Sequence, residues 1–280
     1  MLTQRAMGLP MGMGRGRSSG KMRLIIGLVI AAISLFSYFG SSEYNEVTGE
    51  KQHISLTPDQ EIALGLQAAP EMIQQHGGLN PDPQKQAFVD QVGRKLMATS
   101  LAQDATWEYE FHLLDDDELV NAFALPGGQV FITDALANRL ETEGQLAGVF
   151  GHEIGHVVAR HGAQRIAKSQ LTNGLIGAVA VASEDQRTAM MAAMIGQLVN
   201  MKYGRNDELE SDRIGVKMMA DAGYDPRAMI RVMEVLAEAS KGGAPPEFFS
   251  THPNPDNRIG RIQEAIDAEF PNGVPEGLIP

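Results

Sequence analysis

The chain begins with an apolar segment that directly follows a basic one. The 19 residues from Leu24 to Ser42 carry no charged side chain, and as a helix they would extend about 28 Å, enough for the hydrocarbon core of a bilayer. Five of the 23 Lys and Arg residues precede this segment, and no Asp or Glu does. The pattern predicts a basic cytoplasmic tail over 1–23 and a transmembrane signal-anchor over 24–42, with the rest of the chain outside the cytoplasm.

Three other interpretations of this start stay open. A signal peptide would be cleaved near the small residues at 40–42, releasing the protein from the membrane. A mitochondrial presequence shares the arginine-rich, acid-free start, but the many glycines before Leu24 form an amphipathic helix poorly. A buried core helix is the third, although such helices rarely follow a cluster of positive charges.

The pattern after the apolar segment predicts a polar linker over 43–56 and one folded domain over 57–280. A capping box at Thr57, with proline next in the chain, predicts a helix that ends near His76. A second helix is predicted over 83–98.

Strand patterns are confined to one region. Aromatic and aliphatic residues from Trp107 to Leu114 predict a strand, and the segment Asn121–Thr133 predicts a hairpin, because Pro-Gly-Gly separates two apolar runs. The remaining segments of the domain are predicted to be helical. Apolar segments over 171–182 and 190–201 are too short to cross a bilayer and predict a helical hairpin over the site or part of the core. The predicted fold class is therefore α+β, mostly helical with a small β-sheet.

Composition removes several classes of function. The chain has no cysteine, which excludes disulfides, thiolate metal sites and cysteine nucleophiles. Acidic residues outnumber basic ones by 35 to 23. An acidic body repels phosphate backbones, so we expect no nucleic-acid partner.

One predicted helix combines an apolar surface with three ionisable residues. Between Leu146 and Val158 the strongly polar side chains are His152, Glu153 and His156. A helix that is apolar on all sides is buried, and burying three ionisable groups costs free energy unless something binds them. Histidines four residues apart share a helix face and can hold one zinc ion, while the glutamate can reach a water on the metal without being a ligand.

A catalytic zinc site needs a third protein ligand, and the nearest histidine does not supply it. In the extension HExxHxxGxxH, glycine and histidine would stand where Ala159 and Gly162 are found. His161 lies at another offset, and we expect it near the C-terminal end of the motif helix. The ligand must therefore come from further along the chain.

A second predicted helix, over 207–220, carries suitable carboxylates. Its apolar positions place Glu208 and Asp212 on the inward face and Glu210 on the solvent face. Glu208 suits the third zinc ligand, and Asp212 suits an acceptor for the N–H of a ligating histidine. The alternative for these inward carboxylates is an internal salt bridge with a nearby arginine, Arg205 or Arg258.

Four sequence elements together resemble a known family. They are HExxH at 152–156, an ExxAD-type element at 208–212 with serine in place of alanine, N-A-F-x-x-P-G-G at 121–128, and His-Pro followed by Arg within 251–259. Their order over roughly 57–268 is similar to that of the membrane-associated gluzincin peptidases, which include the CAAX prenyl endopeptidase and the HtpX-like and BepA-like proteases. The BepA-like branch is closer, because the chain has one clear membrane span.

The resemblance implies a zincin-type metallopeptidase domain with one zinc ion per chain. Glu153 would act as the general base. An extended substrate would lie beside the segment of Asn121, Ala122, Phe123 and Ala124 by strand addition, although Phe123 could instead fill the core. For the developing oxyanion, His252 is the first candidate donor and Arg258 the second.

His252 lies in a loop that Pro253 and Pro255 make stiff and non-helical, and three roles stay open for it. It is a transition-state donor, a latch that occupies the water position on zinc, or a surface or capping histidine.

The predicted function is a zinc-dependent endopeptidase that hydrolyses misfolded or unassembled proteins outside the cytoplasm or at the membrane. We expect it in the bacterial inner membrane as a single-pass protein with a periplasmic catalytic domain, or free in the periplasm after signal cleavage. Two other classes remain: a membrane-tethered chaperone or assembly factor that keeps the protease fold, and a structural zinc domain, in which Glu153 would have no role. The pattern indicates neither the substrate nor the oligomeric state.

Overall fold

The computed structural model describes residues 20–98, 107–183, 203–240, 246–254 and 256–280. The helices are α1 (Gly20–Gly40), α2 (Pro58–Gln75), α3 (Pro83–Met97), α4 (Asp134–Ala137), α5 (Glu143–Val158), α6 (His161–Ala182), α7 (Arg205–Asp221), α8 (Arg227–Ala239), α9 (Phe248–Thr251) and α10 (Arg258–Glu269). The strands are β1 (Ser42–Asn45), β2 (Glu50–His53), β3 (Glu110–Leu114), β4 (Ala122–Leu125) and β5 (Gln129–Thr133). This confirms the predicted α+β class, mostly helical with small sheets.

The main sheet has the strand order β3-β5-β4. The central strand β5 runs parallel to β3 and antiparallel to β4, so the predicted hairpin is confirmed and β4 lies at an edge. The turn needs glycine, because Gly127 has φ of 86° and a β-carbon there would lie 2.4 Å from the Cα of Ile62. Inward side chains of the sheet join Phe150 and Ile154 of α5 in one core.

The predicted linker over 43–56 is wrong in its first part. Strands β1 and β2 form an antiparallel hairpin there, although the segment is polar. Two of its polar side chains are buried and bind backbone: Asn45 donates to the carbonyl of Val158 at 2.9 Å, and Gln52 donates to that of Ala159 at 3.0 Å. The hairpin therefore satisfies carbonyls at the C-terminal end of α5, which a helix leaves unpaired.

Among the described residues, α1 is the one helix long and apolar enough to cross a membrane. It packs closely along α6: a β-carbon on Gly27 would lie 2.7 Å from the carbonyl oxygen of Ala178. The predicted apolar segment 171–182 is the second half of α6, whose 22 residues form one continuous helix. The other predicted segment, 190–201, lies outside the described residues.

Helices α5 and α7 approach each other almost backbone to backbone. A β-carbon on Gly151 would lie 3.1 Å from the Cα of Gly215, and one on Gly155 would lie 2.8 Å from the carbonyl oxygen of Ser211. Two glycines four residues apart on α5 therefore allow α7 to lie directly against it. This contact brings the motif helix and the predicted carboxylate helix together.

Candidate metal centre

The motif helix α5 is buried along almost its whole length. It begins after Thr142, whose hydroxyl accepts from the backbone N–H of Gln145 at 3.2 Å. Every residue from Gly144 to Val158 is buried. His152, Glu153 and His156 are consequently held in the interior, so their charges and hydrogen bonds must be met by other protein groups or by a ligand.

Four side chains converge at the face of α5 that meets α7. The Nε2 atoms of His152 and His156 are 3.1 Å apart, and each lies 3.4 Å from an oxygen of Glu208. The Nδ1 atom of His252 lies 3.2 Å from Glu208 Oε1. One ligand atom from each of the four lies within 4.8 Å of the others. The structure thus brings together the three predicted zinc ligands and His252.

The two motif histidines turn their Nδ1 atoms to outer partners and their Nε2 atoms to Glu208. His152 Nδ1 lies 2.8 Å from Asp212 Oδ1, and an ionised carboxylate only accepts, so Nδ1 carries a proton. His156 Nδ1 lies 2.9 Å from His161. The two Nε2 atoms can therefore share one cation with Glu208, and a pair of imidazoles with a carboxylate is a donor set that zinc prefers.

Unpartnered polar atoms support the same conclusion. Among the described residues, Glu208 Oε2, His252 Nε2 and both carboxylate oxygens of Glu153 are buried without a hydrogen-bond partner. Buried polar groups without a partner are rare and call for a bound ion or water. The residues of this site therefore fit a metal ion.

The pKa shifts describe a site that attracts cations. Burial alone would lower the pKa of His152, but its hydrogen bonds to Asp212 and Glu208 raise it to about 9. Burial lowers the pKa of His156 well below its ordinary value. Burial would raise the pKa of Glu208, but hydrogen bonds from the three histidines hold it well below its ordinary range. An ionised carboxylate beside imidazole lone pairs favours a proton or a metal ion at this point.

Asp212 contacts both a histidine and an arginine. Besides His152, it binds Arg258, whose Nε lies 2.7 Å from Oδ2 and whose Nη2 lies 2.8 Å from Oδ1. The salt-bridge alternative for Asp212 therefore holds together with the histidine contact, while Arg205 lies at the surface 4.0 Å from Asp256. Arg258 is buried and its Nη1 lies 3.3 Å from Glu208. These contacts favour a role in holding the carboxylates over direct contact with an oxyanion.

Glu153 stands apart from this hydrogen-bond network. Its Oε1 atom lies 3.7 Å from His252 Nε2. Burial raises the pKa of Glu153, and the nearby His252 and His152 oppose that shift. A carboxylate with free oxygens and a raised pKa is suited to accept a proton from water at neutral pH.

One expectation about surface position is wrong. Glu210 is not on the solvent face: its side chain is 14% exposed and its Oε2 lies 3.0 Å from His161 Nε2. His161 lies near the C-terminal end of α5, as expected, but it is also the first residue of α6 and is buried. The reason is the turn between α5 and α6, where Arg160 adopts a left-handed φ of 55° and brings His161 back between His156 and α7.

The conformation of Arg160 is fixed by two ion pairs that the sequence does not predict, one of them buried. Its guanidinium lies 2.6 Å from Glu61 of α2 and 2.8 Å from Glu43 of β1. Left-handed backbone is unfavourable for a residue with a β-carbon and persists only where the surroundings enforce it. These pairs hold the turn that positions His161.

Aromatic rings cover two of the histidines. Tyr203 stacks on His156 with centroids 4.1 Å apart, and Phe248 stacks on His252 at 4.4 Å. His252 is fully buried, so its interpretation as a surface histidine is wrong. Sequence reasoning missed Tyr203, because the residue lies in no motif and just outside the predicted helix.

The edge strand β4 lies next to the centre. A small cavity between them is lined by residues of both, including Ala124, Leu125, His156 and Tyr203. Phe123 stacks on Phe131 with centroids 4.8 Å apart, so its alternative role as a packing residue is supported. Asn121 is buried, and its Oδ1 has no hydrogen-bond partner among the described residues.

Comparison with known proteins identifies the family of this chain. The model of peptidase family M48 matches residues 83–266, which include all four converging side chains. The chain is also similar to curated relatives from bacteria and mitochondria.

The beta-barrel assembly-enhancing protease of Yersinia pestis is 32% identical over 235 residues, which are 80% of this chain and 47% of that protein. The protein of that name from Escherichia coli (strain K12) is 34% identical over 64% of this chain and 38% of its own length. The mitochondrial metalloendopeptidase OMA1 of Schizosaccharomyces pombe is 30% identical over 87% of this chain and 72% of its own length. The chain thus spans less than half of the first two relatives.

The geometry predicts unequal effects of two substitutions on zinc binding. Glu208→Gln should weaken zinc binding most, because it removes the negative charge that faces both histidines. Asp212→Asn should weaken it by about 10–100-fold, the usual effect of losing a partner of a ligand. Competition with a chromogenic chelator, using the full chain in detergent, measures both affinities.

The matched control is Glu264→Gln on α10, whose side chain is 62% exposed and pairs with Arg261 alone among the described residues. It should bind zinc as the unaltered protein does. Equal affinity of Glu208→Gln and the control would contradict the ligand assignment.

Proposed function

Because the chain belongs to peptidase family M48, we propose that it is a zinc-dependent endopeptidase whose metal is held by His152, His156 and Glu208. The observation that carries this proposal is the convergence of two imidazole Nε2 atoms on an ionised carboxylate, with the unpartnered carboxylate of Glu153 beside them. A structural zinc domain would have no use for a buried, unpartnered glutamate. The substrate of such an endopeptidase is a polypeptide.

The residues of the chain divide the work of peptide hydrolysis. When bound, zinc supplies a Lewis acid that makes water a stronger nucleophile at neutral pH. Glu153 accepts the proton of the attacking water and passes it to the leaving amine. Asp212 holds His152 by its Nδ1 proton, and Arg258 holds Asp212 and neutralises part of the negative charge of the site.

The substrate lies along β4 in this proposal. That strand is at the edge of its sheet and is paired to β5 alone among the described strands, so its other edge can accept an extended peptide by strand addition. The cavity lined by Ala124 and His156 connects this edge to the metal centre. Asn121, Ala122, Phe123 and Ala124 form the substrate strand, with Phe123 packing against Phe131.

His252 is proposed as a latch. Its Nδ1 atom lies 3.3 Å from His152 Nε2 and 3.2 Å from Glu208, so a histidine nitrogen already stands among the ligand atoms where water must enter. The ring is held there by Phe248. The site is therefore closed at rest and opens when substrate displaces the loop that carries His252.

We place the enzyme at the bacterial inner membrane, anchored by α1. One side of α1 packs on α6, while the opposite side exposes large apolar side chains such as Leu28, Ile33 and Phe36. Names of the relatives refer to assembly of β-barrels and to mitochondria. Together these features support a role in the quality control of membrane-associated or periplasmic proteins, with misfolded or unassembled chains as substrates.

Proteolysis of an unfolded test protein tests the proposed activity. The full chain in detergent should cleave the protein, and a chelator should abolish cleavage. Glu153→Gln should keep the fold and the zinc but reduce turnover about 100-fold to 10,000-fold, because it removes the proton acceptor and no ligand. Bound zinc and cleavage are measured on the same preparation.

Two outcomes would oppose this proposal. Loss of zinc together with activity in Glu153→Gln would make Glu153 a ligand. Stable binding of the test protein without any cleavage would instead indicate a chaperone that keeps a protease fold.

His252→Ala separates the latch from the transition-state donor, because the two roles predict opposite signs. As a latch, the substitution should raise basal cleavage of the test protein. As an oxyanion donor, it should lower the cleavage rate by about 100-fold. Unchanged cleavage together with unchanged zinc affinity would exclude both roles.

A C-terminal reporter tests the orientation. A reporter that works only outside the cytoplasm, fused after Pro280, should be active, because the positive charges of the tail keep the N-terminus inside. The protein should also stay with membranes after a high-salt wash. A shortened protein in the soluble fraction would show that the N-terminal segment is a cleaved signal.

A further inference from the structure

A second hydrogen-bonded chain runs from the metal centre to α7 through His161. His156 Nδ1 lies 2.9 Å from His161 Nδ1, and His161 Nε2 lies 3.0 Å from Glu210 Oε2. His161 is 2% exposed, and the Glu210 side chain is 14% exposed. The neighbouring hydroxyl of Ser211 lies 3.3 Å from the same His161 Nδ1.

The chemistry of the groups fixes the direction of this chain. A carboxylate only accepts, so His161 donates a hydrogen bond from its Nε2–H group to Glu210. A neutral imidazole with its proton on Nε2 has a lone pair on Nδ1. His156 must then donate from its own Nδ1, which leaves its Nε2 lone pair pointing at Glu208 and His152.

We infer that Glu210 and His161 are positioning residues that set the tautomer and the ring orientation of His156 for metal binding. The inference rests on the proposed metal site and extends it. His152 is oriented directly by Asp212, and His156 is oriented by Glu210 through one intervening imidazole. Glu210 and Asp212 come from the same helix, α7, and are two residues apart in the sequence. Asp212 contacts His152 directly, and Glu210 contacts His161.

The fold explains why His156 needs an intermediate. His156 lies one turn after His152 on α5, and Asp212 is already engaged by His152 and Arg258. The left-handed turn at Arg160 inserts the first residue of α6 into the gap. The outer face of His156 is also covered by Tyr203, so the ring is held by stacking on its face and by a hydrogen bond at its edge.

A double-mutant cycle tests the inference with zinc affinity as the readout. In the full chain in detergent, Glu210→Ala should weaken zinc binding by about 10–100-fold, the range for a lost partner of a ligand. Glu210→Gln should restore most of the affinity, because its amide oxygen still accepts from His161. Glu264→Gln serves again as the exposed control.

The second arm uses His161→Asn. The amide oxygen of asparagine stands near the position of a histidine Nδ1 and accepts from His156 without help from Glu210. Adding Glu210→Ala to His161→Asn should therefore cost less than about 3-fold in zinc affinity, against the larger loss expected alone. Equal losses in both backgrounds would give Glu210 an independent structural role and overturn the inference.

A spectroscopic measurement needs no substitution. Long-range ¹⁵N–¹H correlation spectra of the unaltered, zinc-loaded protein, labelled at histidine, report which ring nitrogen carries each proton. The inference predicts Nδ1 protons on His152 and His156 and an Nε2 proton on His161, and an Nδ1 proton on His161 would overturn it. A protein that binds no zinc would instead contradict the proposed function, so the two failures are distinguishable.

Discussion

The site exists because α5 and α7 lie almost backbone to backbone. Metal ligands that come from two helices can meet only if the helix axes are near each other, and most side chains would keep them apart. Gly151 and Gly155 on α5, with Gly215 on α7, remove those side chains where the backbones meet. As a result, His152 and His156 of α5 and Glu208 of α7 reach one point, and Asp212 of α7 binds the outer nitrogen of His152.

That contact creates an electrostatic problem, which the surrounding elements solve. Two buried carboxylates and three histidines at such short range would be unstable without compensation. Arg258 from α10 supplies one positive charge to Asp212 and Glu208, and a metal ion would supply the rest. The helix α7 therefore lies between two partners, α5 on one side and α10 on the other, and all three must be in place for the site to form.

The sequence predicted the chemistry of the site better than its surroundings. The strands of the main sheet, the start of α2 and the inward positions of Glu208 and Asp212 followed from periodicity and capping, which depend on local sequence. The family predicted from the four sequence elements is confirmed. Glu210 was misplaced, because its contact with His161 depends on a turn at Arg160 that is held by Glu43 and Glu61 from distant parts of the chain. The hairpin of β1 and β2 was missed for a similar reason: Asn45 and Gln52 bind carbonyls at the end of α5, and no local pattern reports that.

Anomalous diffraction at the zinc absorption edge, from crystals of the zinc-loaded full chain, would locate the metal. If His152, His156 and Glu208 hold the zinc, one strong peak lies within about 2.0–2.2 Å of both Nε2 atoms and a carboxylate oxygen of Glu208. A peak held by other residues, or no peak in protein that contains stoichiometric zinc, would contradict this ligand assignment.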